Sequence, residues 1–208
     1  MREALRQAVT RYWEGISARD DLRIRISVDL EEQPGRAYIA AQPLVTPPAE
    51  LYERGAAAVT VRMGRLLPEA KLTRFIERSR EARKLLSPEV NEALMVNPQE
   101  ELTEGLTSNF FAVLDGQLRT AAEGVLKGVT RGLALECAES MGFPVRFKPV
   151  HMHELPRMEK AFLTSSSRGI LPLRRIDEVE IGRECPGKLT RALAQAFSEL
   201  IGRLIEPV

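Results

Sequence analysis

Three prolines within six positions, Pro43, Pro47 and Pro48 in the segment Gln42-Pro-Leu-Val-Thr-Pro-Pro-Ala, divide this chain in two. Proline fixes its own φ and drives the preceding residue out of the helical region, so no helix or central strand can run through the segment. The break predicts units at residues 1–46 and 47–208. In the first, Leu5, Ala8, Val9 and Trp13 recur at helical intervals, which predicts an amphipathic helix over residues 1–18. The alternation in Arg23-Ile-Arg-Ile-Ser-Val-Asp-Leu then predicts a half-exposed strand, and Ala37-Tyr-Ile-Ala-Ala a second one after the Pro34-Gly35 turn. One helix and two strands is little material for an independent domain.

Beyond the prolines the pattern predicts a strand over 57–61, a helix over 72–85, a strand over 92–96 and a hairpin at Asp115-Gly116. A helix over 130–140 stops before Gly142-Phe143-Pro144. A strand over 145–150, a short helix over 153–159, strands over 161–165 and 171–176 and a last helix over 186–204 follow. Strands that meet in hairpins among scattered helices point to an α+β fold rather than to regular βαβ alternation.

Charge excludes some functions. Thirty Lys and Arg against 29 Asp and Glu leave a formal charge of +1, without the basic footprint of a nucleic-acid binder, so a small molecule is the expected partner. No apolar run approaches the roughly 20 residues that cross a bilayer, and Met1-Arg-Glu-Ala-Leu-Arg reads as amphipathic helix rather than signal peptide. The expectation is a cytoplasmic protein with no membrane association. Cys137 and Cys185 share no CxxC spacing, and a chain of 208 residues needs no disulfide to hold its core. His151 and His153 can point to one side of an extended segment, but spacing identifies no third ligand, so no metal site is expected.

Four segments carry chemistry. In Arg62-Met-Gly-Arg-Leu-Leu-Pro-Glu-Ala-Lys71 a lysine follows a proline turn at the mouth of the expected helix, where the positive dipole end favours a neutral amine; a solvated surface lysine would look the same. In Glu101-Leu-Thr-Glu-Gly-Leu-Thr-Ser-Asn-Phe-Phe, Glu104 lies beside an apolar strand and asks for a cationic or protonated partner, unless it is an ordinary loop glutamate with Ser108 or Asn109 closing a turn. Leu126-Lys-Gly-Val-Thr-Arg131 leads into a helix whose free N–H groups suit a phosphate, or in which Thr130 is simply the N-cap. Four consecutive hydroxyl residues, Thr164 to Ser167, close an apolar strand and suit an anion or form a polar turn.

In this order the segments resemble the pyridoxal-phosphate (PLP) enzymes of fold type IV, the class IV aminotransferases, which include branched-chain and D-amino-acid aminotransferases and aminodeoxychorismate lyases. The resemblance runs over residues 52–205. The family's (T/S)-E-G-x-x-S-N-x-F is similar to Thr103 through Phe110, its G-(I/V)-T-R to Gly128-Val129-Thr130-Arg131, and its T-S-(T/S)-x-x-x-(I/L)-x-P to Thr164 through Pro172. Four ordered motifs are far more specific than one. The resemblance implies a β-rich pseudo-barrel with flanking helices as the large domain, preceded by a remnant of the α/β small domain. It implies that Lys71 binds PLP as a Schiff base and moves the substrate proton, that Glu104 faces the pyridine nitrogen, and that Val129, Thr130, Ser165 and Ser166 hold the phosphate. The expected activity is transfer of an amino group between an amino acid, branched-chain among the candidates, and a 2-oxo acid, in a homodimer.

The chain departs from the family at two places. Members carry a longer N-terminal stretch that supplies an arginine to the phosphate, which leaves Arg62 and Arg65 as the cations available here. Branched-chain enzymes have Asn-Tyr after the lysine, where this chain has Lys71-Leu-Thr-Arg-Phe-Ile, and neither Phe75 nor Ile76 supplies the tyrosine's hydroxyl. An aminodeoxychorismate-lyase-like elimination and a truncated, non-catalytic homologue therefore stand beside the aminotransferase reading.

Overall fold

The computed structural model describes residues 2–14 and 21–205, and the chain separates into two compact units, residues 1–46 and 47–205. In the first, α1 (Arg2–Glu14) buries Val9. Strands β1 (Leu22–Val28) and β2 (Ala37–Pro43) pair antiparallel along their full length. The Asp29 carboxylate closes their connection by accepting the backbone N–H groups of Glu31, Glu32 and Gln33 at 2.9, 3.1 and 3.2 Å. The part of the expected helix over residues 15–18 lies outside the described residues.

The second unit opens with α2 (Ala49–Arg54) and β3 (Ala56–Arg62), followed by two short helices, α3 (Arg74–Arg78) and α4 (Arg80–Arg83). Strands β4 (Glu92–Val96), β5 (Glu101–Gly105), β6 (Asn109–Leu114) and β7 (Gln117–Thr120) come next, then α5 (Val129–Ser140). After it come β8 (Val145–Phe147), β9 (Val150–His151), a 3-10 turn (Met152–Arg157), β10 (Lys160–Ser165), β11 (Gly169–Ile176), β12 (Val179–Glu180) and α6 (Lys188–Leu204). The strands form one sheet in the order β8-β7-β6-β10-β11-β3-β4-β5-β9, with β12 on β11, and β5 returns to pair with β6. The six strands from β6 round to β5 thus close on themselves, which leaves few free strand edges.

Period-two alternation sorts the side chains of that ring. Phe110, Ala112 and Leu114 join Leu94, Val96, Leu163, Leu171 and Leu173 in one buried cluster. Phe111 and Val113 face the other way, and with Phe162 they meet Ala134 and Cys137 of α5 and Leu193 of α6. The rings of Phe111 and Phe162 stack at 4.9 Å. The hairpin forms at Asp115-Gly116, both with positive φ (52° and 68°), the backbone that a two-residue turn of matching twist requires.

Two expected elements are broken. The helix over 72–85 is interrupted at Ser79, a buried residue whose hydroxyl donates to the Ile76 carbonyl at 3.2 Å. That bond takes up the acceptor that a continuous helix would offer to the next amide. The strand over 145–150 splits at Pro149, which has no N–H for a ladder; β8 pairs with β7 and β9 with β5. Among the described residues no helix is long and apolar enough to cross a membrane.

Candidate active site

Glu104 is the centre of the site. β5 carries it into the interior, where it is 1% exposed. Its Oε2 accepts the Asn109 side-chain amide and the Leu126 backbone N–H, both at 3.0 Å. Its Oε1 accepts Nε–H of Arg65, a side chain that is itself buried. A carboxylate has about four lone-pair sites, so three of these are engaged and one is left for a further donor. Burial raises the Glu104 carboxyl above its ordinary pKa, and the Arg65 guanidinium and the Leu126 amide oppose that rise.

Asn109 joins Glu104 to the start of α5. Besides its bond to Glu104, the same amide donates to the Leu126 carbonyl at 2.7 Å. A Cβ at Gly128 would stand 2.5 Å from Asn109 Oδ1, so only glycine lets the turn approach this closely. Gly128, not Thr130, is the N-cap, and no side chain caps the helix. The first-turn N–H groups therefore lack intrahelical partners and point out of the helix end, as an anion site requires. Val129 is exposed there, whereas Thr130 and Arg131 are buried. Arg131 donates through Nη2 to the Ala121 carbonyl at 2.9 Å, while its buried Nε has no partner.

The serine cluster reaches the same place through β10, where Thr164 lies opposite Asn109 of β6 in the ladder. The Thr164 hydroxyl is buried without a partner. Ser165 follows, half-buried, its hydroxyl oxygen accepting Nε–H of Arg168 at 3.1 Å, and Ser166 is exposed.

Lys71 is exposed, in the loop between β3 and α3. That loop is tied to the centre through Arg65, whose guanidinium bonds Glu104 and lies 3.9 Å from the centroid of the Phe75 ring. Phe75 is thus a platform for the arginine. The helix after Lys71 is only five residues long and begins three residues beyond it, at Arg74. Neither upstream arginine is turned to an anion site: Arg62 pairs with Glu100 at the surface and Arg65 with Glu104.

Sequence reasoning asked for a cationic partner of Glu104 without finding Arg65, because one arginine in an irregular loop has no periodicity to betray it. Of the two readings open for this segment, one is a turn closed by Ser108 or Asn109; the Asn109 side chain instead bridges Glu104 and Leu126. The donor set fits PLP. A buried carboxylate with a free lone pair suits a protonated ring nitrogen. An uncapped helix start, a spare guanidinium N–H and an orphaned hydroxyl suit the phosphate.

The family model for amino-transferase class IV matches residues 1–176. The chain belongs to the class IV aminotransferases. A branched-chain-amino-acid aminotransferase of Pseudomonas aeruginosa is 30% identical over 117 residues, 56% of this chain and 38% of that protein. The stretches matched in the first three curated relatives take up 38% to 43% of their length. Among solved structures, the branched-chain aminotransferase of Thermoproteus uzoniensis with norvaline has a TM-score of 0.74 at 26% identity, covering 96% of this chain and 71% of its own. The 4-amino-4-deoxychorismate lyase of Pseudomonas aeruginosa has a TM-score of 0.73 at 25% identity, covering 95% of this chain and 77% of its own. The closed ring with its flanking helices is therefore the fold type IV architecture of this class IV family, and membership implies PLP as the cofactor.

Proposed function

We propose that this class IV aminotransferase uses PLP to move an amino group between an amino acid, branched-chain among the candidates, and a 2-oxo acid. The observation that carries the reading is the meeting of three motifs at Asn109: it bonds Glu104 and Leu126, touches the Gly128 turn and lies opposite Thr164. When bound, PLP supplies an electron sink for the bond broken at the substrate α-carbon. The lone pair left on Glu104 would accept the ring N–H, and the buried Arg65 opposes the rise that burial imposes on that carboxyl. Val129 and Thr130 would offer backbone N–H groups, and Ser165 and Ser166 hydroxyls, to the phosphate. Lys71 would hold the cofactor through Nζ and would be the base that takes and returns the substrate α-proton. On this reading residues 1–46 belong to the small domain and 47–208 to the cofactor domain of a cytoplasmic homodimer.

Purified protein mixed with PLP is expected to develop the visible absorption band of a lysine-linked cofactor, and Lys71→Ala to lack it. An unaltered band in Lys71→Ala overturns the role of the lysine. Leucine, valine or isoleucine with 2-oxoglutarate is expected to give glutamate. The likeness to the aminodeoxychorismate lyase and the lack of the tyrosine's hydroxyl at Phe75 and Ile76 support a second reading, elimination at the same lysine, for which pyruvate release without amino transfer is the sign. A chain that folds but performs neither reaction is the non-catalytic homologue.

A further inference from the structure

Glu92, the first residue of β4, is fully buried at 0% exposed, and the cofactor reading gives it no task. Its Oε2 accepts the hydroxyls of Thr107 and Ser108, both at 2.8 Å, and Nη2–H of Arg168 at 2.7 Å. Arg168 stands in the turn between β10 and β11, its side chain 13% exposed. The same Nη2 donates to the Thr107 hydroxyl at 2.7 Å, and Nε donates to Ser165 Oγ at 3.1 Å. The Tyr52 hydroxyl holds the Arg168 carbonyl at 2.9 Å. One carboxylate and one guanidinium thus tie the loop that follows Glu104 to the turn that carries Ser165 and Ser166.

The forked guanidinium suits this task because its donors have fixed relative directions. A buried ion pair is a weak source of net stability, since desolvation offsets much of the attraction, so its value lies in the geometry it imposes. It also sets the direction of a hydroxyl. With its oxygen engaged by Arg168, Ser165 is left to act as a donor. We infer that Arg168 and Glu92 are positioning residues, which fix the spacing between Glu104 and the Ser165–Ser166 turn and orient the Ser165 hydroxyl towards an anion. The consequence for PLP rests on the function proposed above, whereas the coupling of the two loops does not.

Arg168→Met, Arg168→Lys and the double variant Glu92→Met/Arg168→Met test it, each by thermal stability, PLP titration and amide hydrogen exchange of the cofactor-free protein. Arg168→Met is expected to speed exchange at 105–109 and 165–169 together, and to weaken PLP binding by about tenfold or more, as loss of an orienting partner does elsewhere. Arg168→Lys, which keeps the charge but not the fork, is expected to regain only part of that affinity. The apolar double variant should recover thermal stability and leave PLP binding weak. Faster exchange confined to 165–169, or recovery of affinity together with stability in the double variant, overturns the inference. If the wild type takes up no PLP, the proposed function is what fails, and the exchange comparison still decides the coupling.

Discussion

Two buried arginine–glutamate pairs in the same unit tune their carboxyls in opposite directions. Arg119 grips Glu154 with both Nη groups, at 2.9 and 3.0 Å, and the His151 backbone N–H adds a third bond at 2.9 Å. Glu154 is held down to about 2, chiefly by the hydrogen bonds from Arg119. Arg65 meets Glu104 through Nε alone, and there the carboxyl is raised because burial outweighs the cation. The Glu154 side chain keeps 12% of its surface in solvent and Glu104 only 1%, so the two differ in how much desolvation the arginine must offset. Each carboxyl accepts three hydrogen bonds, so what separates them is burial: Glu154, more exposed and held low, serves the fold, while Glu104, whose charge burial disfavours, is ready to take another partner.

The largest effect is expected where the fork is cut. Arg119→Met leaves the buried Glu154 unpaired and should cost about 3–5 kcal/mol in urea unfolding at neutral pH, without weakening PLP binding by the folded fraction. Because the Glu154 pKa is depressed in the folded state, its contribution is present above about 4.5 and lost as pH falls through about 2. The gap between wild type and Arg119→Met should therefore narrow across that window. A constant gap would mean that Glu154 is not the group responsible.

Arg65→Met should cost less, about 2 kcal/mol at pH 7.5, since Glu104 keeps its bonds to Asn109 and Leu126 and can take up a proton. The sign of its pH dependence is the same but the window lies higher. A raised carboxyl pKa is stability lost as pH rises through the folded value, and removing Arg65 raises it further, so the deficit should shrink when unfolding is measured at pH 5.5. A deficit equal at both values would show that Arg65 does not govern the protonation of Glu104, and the contrast with Glu154 would fail.

The contrast also marks how far the sequence could be read. The strands, the Asp115-Gly116 hairpin and the limits of α5 follow from alternation, turn chemistry and a glycine stop, which act within a few residues. Glu104 and the Gly128 turn were legible because their motifs are local as well. Arg65 and Glu104 are 39 positions apart, and Arg168 and Glu92 are 76 apart. Such pairings depend on how the ring closes, and nothing in either neighbourhood announces them. The same limit explains the misread helix after Lys71: its apolar spacing is helical, but the hydroxyl of Ser79, turned back onto Ile76, breaks it.

The smallest expected effect tests the approach of α5 to Glu104 without touching the other pair. Gly128 has φ −65°, which alanine adopts freely, so the cost of Gly128→Ala is only the new Cβ, 2.5 Å from Asn109 Oδ1. Asn109 must yield, and with it the two bonds it donates to Glu104 and Leu126. A loss of about 1 kcal/mol is expected, together with weaker PLP binding and an unchanged Glu154 acid limb. Gly132 in the same helix is the control: a Cβ there meets nothing within 4 Å, and alanine is the better helix former, so Gly132→Ala should gain up to about 1 kcal/mol. Equal losses in the two variants would trace the effect to the helix rather than to its contact with Asn109, and would separate Glu104 from the phosphate end of the site.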